Sequence, residues 1–365
     1  MEEHKIKVGI THGDINGISY EIILKTFAEP AMLEFCTPII YGSPKIAAYY
    51  RKSLDLSVNF STITSASEAA YNKLSVVNCT DDEVKVEFSK PDIEAGRAAL
   101  DALEKAIEEY KKGLIDVLVT APINKHTIQS DNFSFPGHTE YLEERIGGGN
   151  KSLMILMKEG FRVALVTGHI PVSQIAANIT QKHIREKLVI FERALREDFG
   201  INRPRIAVLA LNPHAGDEGL LGEEEQETII PVIQGLKAEG MLCYGPYPAD
   251  GFMGSGNYTV FDGVLAMYHD QGLVAFKVLA MEEGVNYTAG LPLVRTSPAH
   301  GTAYDIAGKG VANESSFRQA VYAAIDIFRN RHIEKEIYKN PLKKQYYEKR
   351  DDSDELRLDA VEGDS

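Results

Sequence analysis

The chain has 365 residues, of which 44% are hydrophobic, and its formal net charge is −14 with histidines counted as neutral. This length and apolar content suit two domains or one large α/β unit. The negative charge argues against nucleic acid and anionic membranes as partners, because binding them needs clustered Lys and Arg. Three scattered cysteines, no secretion signal pattern and no apolar run of about 20 residues lead us to expect a reduced, cytoplasmic protein.

Short apolar runs alternate with amphipathic stretches along the chain. The pattern predicts strands at residues 5–10, 38–41, 116–119, 152–157, 163–166, 205–211 and 263–267. It predicts helices at residues 19–28, 44–51, 95–112, 182–199, 223–240 and 315–329. This alternation indicates a mostly parallel sheet with helices on its faces. Residues 345–365 are rich in charged side chains and predict a solvated acidic tail.

Three histidines each follow an apolar, strand-like run: His169, His214 and His269. The carboxyl ends of parallel strands collect along one edge of a sheet, where α/β folds bind ligands. Three neutral imidazoles meeting there can hold a divalent metal and leave coordination positions open for substrate. Each histidine taken alone is equally well explained as a polar residue at the start of a loop.

Two further motifs suit an anionic ligand. His138 and Thr139 stand at a predicted helix start, where Thr139 is either an N-cap or part of an anion site. Lys277 and Arg295 can clamp a phosphate together, with Arg295 donating two parallel hydrogen bonds. Each of these two cations taken alone is also explained as a solvated surface charge.

Other polar segments are open to ordinary structural explanations. The loop at residues 11–18 follows the first strand but lacks the GxGxxG spacing of a dinucleotide fingerprint. Acidic residues 223–227 suit the positive end of a helix dipole. Asp250 is a candidate base or metal partner, although turn chemistry explains it equally well.

The segments GHTEYLEE, LNPHAGDEGLLGEEE, GPYPADG, AMYHDQGL and GVNYTAGLPLVRTSPAHGTAYDIAGKG closely resemble the 4-hydroxythreonine-4-phosphate dehydrogenase family. The resemblance runs from about residue 5 to residue 329. It implies two α/β/α domains with mostly parallel sheets, as in isopropylmalate dehydrogenase, and an active site in the interdomain cleft. The expected limits are residues 1–125 plus 285–335 for a discontinuous first domain on the cofactor side, and 126–284 for the second domain on the metal and dimer side.

The resemblance also implies an activity. It is oxidation of 4-phosphooxy-L-threonine with NAD, or with NADP as the alternative, followed by decarboxylation to 3-amino-2-oxopropyl phosphate in pyridoxal phosphate (vitamin B6) biosynthesis. The family's divalent metal ligands correspond to His169, His214 and His269. Zinc is the first choice for three nitrogen ligands, while cobalt, nickel, manganese and magnesium stay open. A homodimer whose active sites are shared between subunits is implied as well.

The remaining site residues follow from the same motifs. The resemblance assigns the substrate contacts to His138, Thr139, Lys277, Asn286 and Arg295. The predicted cofactor contacts are Gly301, Thr302, Asp305 and Asn313. The predicted catalytic residues are Asp250, as the proton acceptor, and Lys277.

Three other functions remain open from the sequence. A dehydrogenase for another phosphorylated four-carbon acid, such as 4-phospho-D-erythronate or 4-phospho-D-threonate, would use the same motifs. A non-catalytic sensor of a phosphorylated metabolite would keep the fold without the reaction. An acyl transferase of related fold is less favoured, because that chemistry has no need of three histidines.

Overall fold

The computed structural model describes residues 5–81, 83–131 and 133–339. The predicted acidic tail at residues 345–365 therefore lies outside the described residues. Within the described ranges, no helix has the length and apolar character needed to cross a membrane.

Strands from both halves of the described chain join in one continuous sheet. These strands are β1 (Lys7–Thr11), β2 (Thr37–Gly42), β3 (Phe60–Ile63), β4 (Leu74–Asn78), β5 (Val117–Thr120), β6 (Leu153–Lys158), β7 (Phe161–Leu165), β8 (Ile206–Leu209), β9 (Cys243–Tyr247), β10 (Gly263–Ala266), β11 (Val285–Ala289) and β12 (Val294–Pro298). Their order across the sheet is β3-β4-β2-β1-β5-β12-β11-β6-β7-β10-β8-β9.

Helices cover both faces of this sheet. They are α1 (Ser19–Ala28), α2 (Met32–Phe35), α3 (Pro44–Ser53), α4 (Ile93–Lys111), α5 (His138–Ile146), α6 (Ile175–Asn178), α7 (Gln181–Glu197), α8 (Ile230–Ala238), α9 (Ala249–Gly254), α10 (His269–Ala280) and α11 (Ser315–Lys339). The long helices begin at side-chain caps: Asp92 accepts from the Glu94 amide before α4, and Thr180 accepts from the His183 amide before α7. These caps satisfy amide donors that have no partner inside the helix.

The sheet contains a reversal of direction at its centre. Among the described residues, β12–β11, β11–β6 and β6–β7 pair antiparallel, and the other pairings are parallel. Because these three successive pairings are antiparallel, the strands from β7 to β9 at one end of the sheet run opposite to the strands from β3 to β12 at the other end. The predicted α/β class with a mostly parallel sheet is confirmed, but the carboxyl ends of the two halves do not share one edge.

All of the predicted strands and helices are present, with ends shifted by a few residues; α11 extends further, to Lys339. The sequence pattern missed β3, β4, β9, β11 and β12. In β11 and β12 the reason is chemical, because Thr288, Arg295 and Thr296 are buried polar residues that hide the apolar alternation.

The strand order bears on the domain organisation. Strands from residues 1–125 and 285–335 lie side by side from β3 to β11, and strands from residues 126–284 follow from β6 to β9. The predicted domain limits are compatible with this order and stay a prediction. The largest apolar cluster extends across both halves, from Val8 and Ile10 to Val208 and Ile229.

Candidate active site

A cavity of about 210 Å³ lies over one face of β12, β11 and β6, where the two halves of the sheet meet. Residues two apart on a strand point to the same face, which places Asn286, Arg295 and Ser297 on the cavity floor. Its walls come from the loop after β5, the start of α5, the loop after β7 and the first turns of α10. The wall residues used below are Lys125, His138, Thr139, Glu140, His169, His269, Lys277, His300 and Gly301.

Arg295 is the most deeply placed cation of the cavity, with 3% of its surface exposed. Its Nε and Nη2 donate to Thr120 Oγ1 at 3.0 and 2.6 Å, and its Nη1 donates to Thr288 Oγ1 at 3.2 Å. Its Nη2 also lies 3.1 Å from His138 Nδ1. None of these hydrogen-bond partners carries a negative charge, and burial lowers the pKa of Arg295 to about 10, although the charge of the nearby Glu140 opposes that shift. The floor therefore holds a desolvated cation that an anion would neutralise.

His138 completes this arrangement as a neutral imidazole. Burial, together with the nearby Arg295 charge, holds the pKa of His138 well below its usual value. Because Arg295 can only donate, His138 Nδ1 accepts, and its Nε2–H is left to donate to a ligand. Thr139 Oγ1 lies 3.3 Å from Thr288 Oγ1, and the buried Asn286 Oδ1 has no hydrogen-bond partner. The cavity thus offers donors and an unused acceptor to a polar ligand.

His169 and His269 face each other at the cavity wall, with ring centroids 5.5 Å apart. Each ring has a carboxylate near Nδ1: Asp270 Oδ1 is 2.6 Å from that of His269, and Glu140 Oε1 is 3.8 Å from that of His169. A carboxylate hydrogen-bonded to Nδ1, as Asp270 is to that of His269, holds the proton there and leaves the Nε2 lone pair for a metal ion. Glu140 lies beyond hydrogen-bond distance of His169 Nδ1 and favours the same tautomer only through its charge. In keeping with this tautomer, Lys125 Nζ lies 3.2 Å from His169 Nε2.

His214 does not join this pair within one chain. It is exposed, in the segment Pro213–Gly219 that follows β8, and it does not line the cavity. Over the residues that the structure describes, no group of three or more His, Cys, Asp or Glu side chains is placed to hold a metal ion. Two of the three predicted ligands therefore face each other at the cavity wall, and the third is absent from the cavity of the same chain.

The two predicted catalytic residues are placed differently. Lys277 lies on α10 and lines the cavity. Asp250 lies in the first turn of α9, is exposed, and does not line the cavity.

The predicted cofactor residues lie in the segment between β12 and α11. Gly301 lines the cavity, Thr302 O accepts from the Ile18 amide at 3.0 Å, and Asp305 is exposed. Asn313 Oδ1 accepts from the Ser315 amide at 2.9 Å. Asn313 therefore has a local role at the start of α11.

A buried polar network that sequence reasoning missed ties this segment to the first loop. Tyr304 Oη donates to Asp14 Oδ2 at 2.6 Å and accepts from Asn124 Nδ2 at 2.9 Å. Burial raises the pKa of Asp14, although its hydrogen bonds to Tyr304 and to backbone amides oppose that effect. Since these residues are far apart in sequence, no spacing pattern connects them.

Lys125 and Glu140 also belong to the site. The sequence placed both inside polar motifs without predicting their contact with His169. Burial acts to raise the pKa of Glu140, but its contact with His169 and other charges outweigh this and lower it. His300 Nε2 is a further buried atom of the cavity wall with no hydrogen-bond partner.

Comparisons with known proteins agree with one another. A family model described as pyridoxal phosphate biosynthetic protein PdxA matches residues 34–324. A 4-hydroxythreonine-4-phosphate dehydrogenase of Bacteroides thetaiotaomicron is 74% identical over 364 residues, which cover 100% of both chains. A protein of Oceanobacillus iheyensis is also similar, and its assigned name is D-threonate 4-phosphate dehydrogenase. It is 38% identical, and the match covers 88% of this chain and 97% of the relative. A crystal structure of 4-hydroxythreonine-4-phosphate dehydrogenase from Klebsiella pneumoniae superimposes with a TM-score of 0.78 at 31% identity, covering 90% of this chain and 99% of that one.

Proposed function

Because the chain belongs to the PdxA family of pyridoxal phosphate biosynthetic proteins and is an oxidoreductase, we propose that it oxidises 4-phosphooxy-L-threonine. In this proposal NAD accepts the hydride, a divalent metal assists, and the β-keto acid loses carbon dioxide to give 3-amino-2-oxopropyl phosphate. The family assignment made from the sequence motifs is confirmed by the family match. The cytoplasm stays the expected compartment.

The buried cation of Arg295 is the observation that carries this proposal. A guanidinium whose hydrogen-bond partners are Thr120, Thr288 and the neutral His138 has a desolvation cost that an anionic ligand would offset. A substrate phosphate meets this need. The one Arg295 N–H that these contacts leave unused, at Nη1, would donate to the phosphate, and the His138 Nε2–H would add a further bond. Lys277 supplies a second cation and a proton at its Nζ within the same cavity.

His169 and His269 would hold the metal ion through their Nε2 atoms, since each Nδ1 faces a carboxylate. When bound, the metal ion would polarise the C3 hydroxyl, and NAD would accept the hydride from C3. Zinc remains the preferred ion for imidazole ligands, with the other divalent ions open. Glu140 and Asp270 orient the two rings.

The third ligand is assigned to His214 of a second copy of the chain. Val274 and Val278 on α10 and Met281 at its C-cap are 62%, 81% and 53% exposed. Their spacing places them on one face of the helix, and an exposed apolar stripe suits a protein interface. A second copy packed on this stripe would contact the helix that begins at His269 and carries Lys277. Asp250 does not line the cavity of its own chain. We therefore assign the role of proton acceptor to Asp250 of the second copy.

The segment between β12 and α11 is assigned to NAD. Its attachment to the first loop through Thr302 and Tyr304 gives a ligand a fixed backbone to bind. The exposed carboxylate of Asp305 suits ribose hydroxyls and would repel a 2′-phosphate, which favours NAD over NADP. Gly301 permits close approach at the cavity rim.

A second candidate substrate is 4-phospho-D-threonate, which the name of the Oceanobacillus relative suggests. It differs from 4-phosphooxy-L-threonine in carrying a hydroxyl instead of an ammonium at C2. Glu140 favours the ammonium, because it is a carboxylate with a lowered pKa in the cavity wall. We therefore expect the amino acid to have the higher kcat/KM in a panel that also contains 4-phospho-D-erythronate, followed by NADH formation. A higher kcat/KM for either hydroxy acid would replace the proposed substrate.

Subunit complementation tests the shared metal site. His214→Ala and His269→Ala should each abolish turnover and metal retention. In a mixed dimer, one site would lack both side chains and the other would be intact, so differently tagged, co-purified heterodimers should recover about half of wild-type activity. Heterodimers as inactive as both parents would contradict a site shared in this way. A His214→Ala homodimer with wild-type metal content would remove His214 from the site altogether.

A further inference from the structure

The backbone that carries His214 adopts an unusual conformation. Five successive residues have left-handed φ angles: 53° at His214, 55° at Ala215, 78° at Gly216, 44° at Asp217 and 57° at Glu218. Residues with a Cβ avoid this region, because the Cβ comes too close to the following carbonyl oxygen. Such a run persists only where the surrounding structure holds it, and this often occurs at functional sites.

Glu225 is the side chain that holds this run in place. It is fully buried, and its Oε1 accepts from the backbone amides of Leu211 and Asn212, both at 2.8 Å. Its Oε2 accepts from Asn212 Nδ2 at 2.9 Å. These bonds clamp the chain immediately before the left-handed turn, and they use both carboxylate oxygens.

The same carboxylate also lies against the turn itself. A Cβ added at Gly216 would lie 2.6 Å from Glu225 Oε2, so only glycine fits at the centre of the turn. Glu224 Oε2 accepts from Asn212 Nδ2 at 2.7 Å and closes the other side. Glu225 therefore contacts both the residues before His214 and the turn that follows it.

We propose that Glu225 is a positioning residue that preorganises the left-handed turn and so presents His214 outward to the metal site of a second copy. This inference rests on the proposed function. The sequence suggested that acidic residues 223–227 interact with a helix dipole. Glu225 is an exception, because its carboxylate points inward and binds the preceding loop. A ligand that is already ordered binds a metal more tightly, since less conformational entropy is lost on binding.

The test compares Glu225→Ala and Glu225→Gln with Glu223→Gln as the matched control, since Glu223 is exposed in the same acidic run. Zn²⁺ is titrated into each metal-stripped, full-length protein by calorimetry, and amide hydrogen exchange is measured over residues 211–218. If the turn is released, one or two backbone residues must be ordered again on binding at about 1–2 kcal/mol each, which weakens metal binding by about 10- to 100-fold. We expect that loss, together with faster exchange, for Glu225→Ala, and about tenfold weaker binding for Glu225→Gln. Glu223→Gln should match the wild type.

The outcomes separate this inference from the proposed function. If Glu225→Ala lowers Tm but binds Zn²⁺ like the wild type, Glu225 is merely structural and the inference is wrong. If Glu225→Ala does not fold, Glu225→Gln decides, and wild-type Zn²⁺ affinity in that variant overturns the inference. If His214→Ala itself retains wild-type Zn²⁺ affinity, the proposed metal site fails instead.

Discussion

Replacing Arg295 with Met should separate the binding role of this side chain from its effect on stability. Burial lowers the pKa of Arg295 from 12.5 to about 10. At 1.36 kcal/mol per pKa unit, keeping the guanidinium charged in its site costs on the order of 3 kcal/mol. The substitution removes that cost, but it leaves Thr120, Thr288 and His138 without their donor, at about 1–3 kcal/mol for each unsatisfied buried group and so roughly 3–9 kcal/mol together.

These opposing contributions predict a net loss of at most about 6 kcal/mol in the free energy of unfolding. Phosphate binding should weaken in addition. The hydrogen bond from the unused Arg295 N–H to a charged group contributes about 1.5–3 kcal/mol. Its loss corresponds to about a 10- to 100-fold rise in Kd at 1.4 kcal/mol per tenfold.

The assay pairs denaturant unfolding with calorimetric titration of the phosphorylated substrate, with inorganic phosphate as a second probe. Arg331→Met is the matched control, because Arg331 Nε pairs with the buried Asp198 at 2.6 Å, away from the cavity. Breaking a buried ion pair costs about 3–5 kcal/mol, so this control should lose stability and keep its substrate Kd. An unchanged substrate Kd in Arg295→Met, whatever its stability, would refute the reasoning.

Three further predictions concern other parts of the molecule. Tyr304→Phe removes the hydroxyl that donates to Asp14 and should raise the KM for NAD about fivefold, the equivalent of one hydrogen bond, with the KM for the phosphorylated substrate unchanged. Burial lowers the pKa of His12 from 6.5 to about 4, so the unfolded chain binds more protons between these values and stability falls as pH falls through this window. His12→Gln should flatten that part of the Tm-against-pH curve. Val278→Glu places a charge on the exposed stripe of α10 and should yield monomers by size-exclusion chromatography with light scattering, with a parallel loss of turnover.

Each of these predictions has an outcome that would contradict it. An unchanged KM for NAD in Tyr304→Phe, with Tyr71→Phe as the exposed control, would mean that the Asp14 contact does not position the cofactor segment. A wild-type pH profile in His12→Gln would assign the acid sensitivity to other groups. Dimers of Val278→Glu with full activity would place the subunit interface elsewhere.

Much of the fold can be predicted from the sequence, because helix and strand periods are local properties of the chain. The segments that became β1, β7, β8 and β10 are apolar on both faces, as expected for buried parallel strands. Strands β11 and β12 were not predicted, because buried polar residues interrupt the apolar pattern of these strands. The reversal of the sheet was also hidden, since the direction of a strand depends on how distant segments pair.

The candidate site likewise has features that the sequence predicted and features that depend on tertiary structure. The sequence alone singled out His138, Lys277 and Arg295 as candidate ligand contacts, and the structure brings all three to one cavity. Tertiary structure alone decided that Arg295 is desolvated among uncharged partners, that Tyr304 binds Asp14, and that His169 and His269 meet without His214. Burial, hydrogen-bond partners and distances between side chains arise from contacts between segments far apart in the chain, which no local pattern of residues encodes.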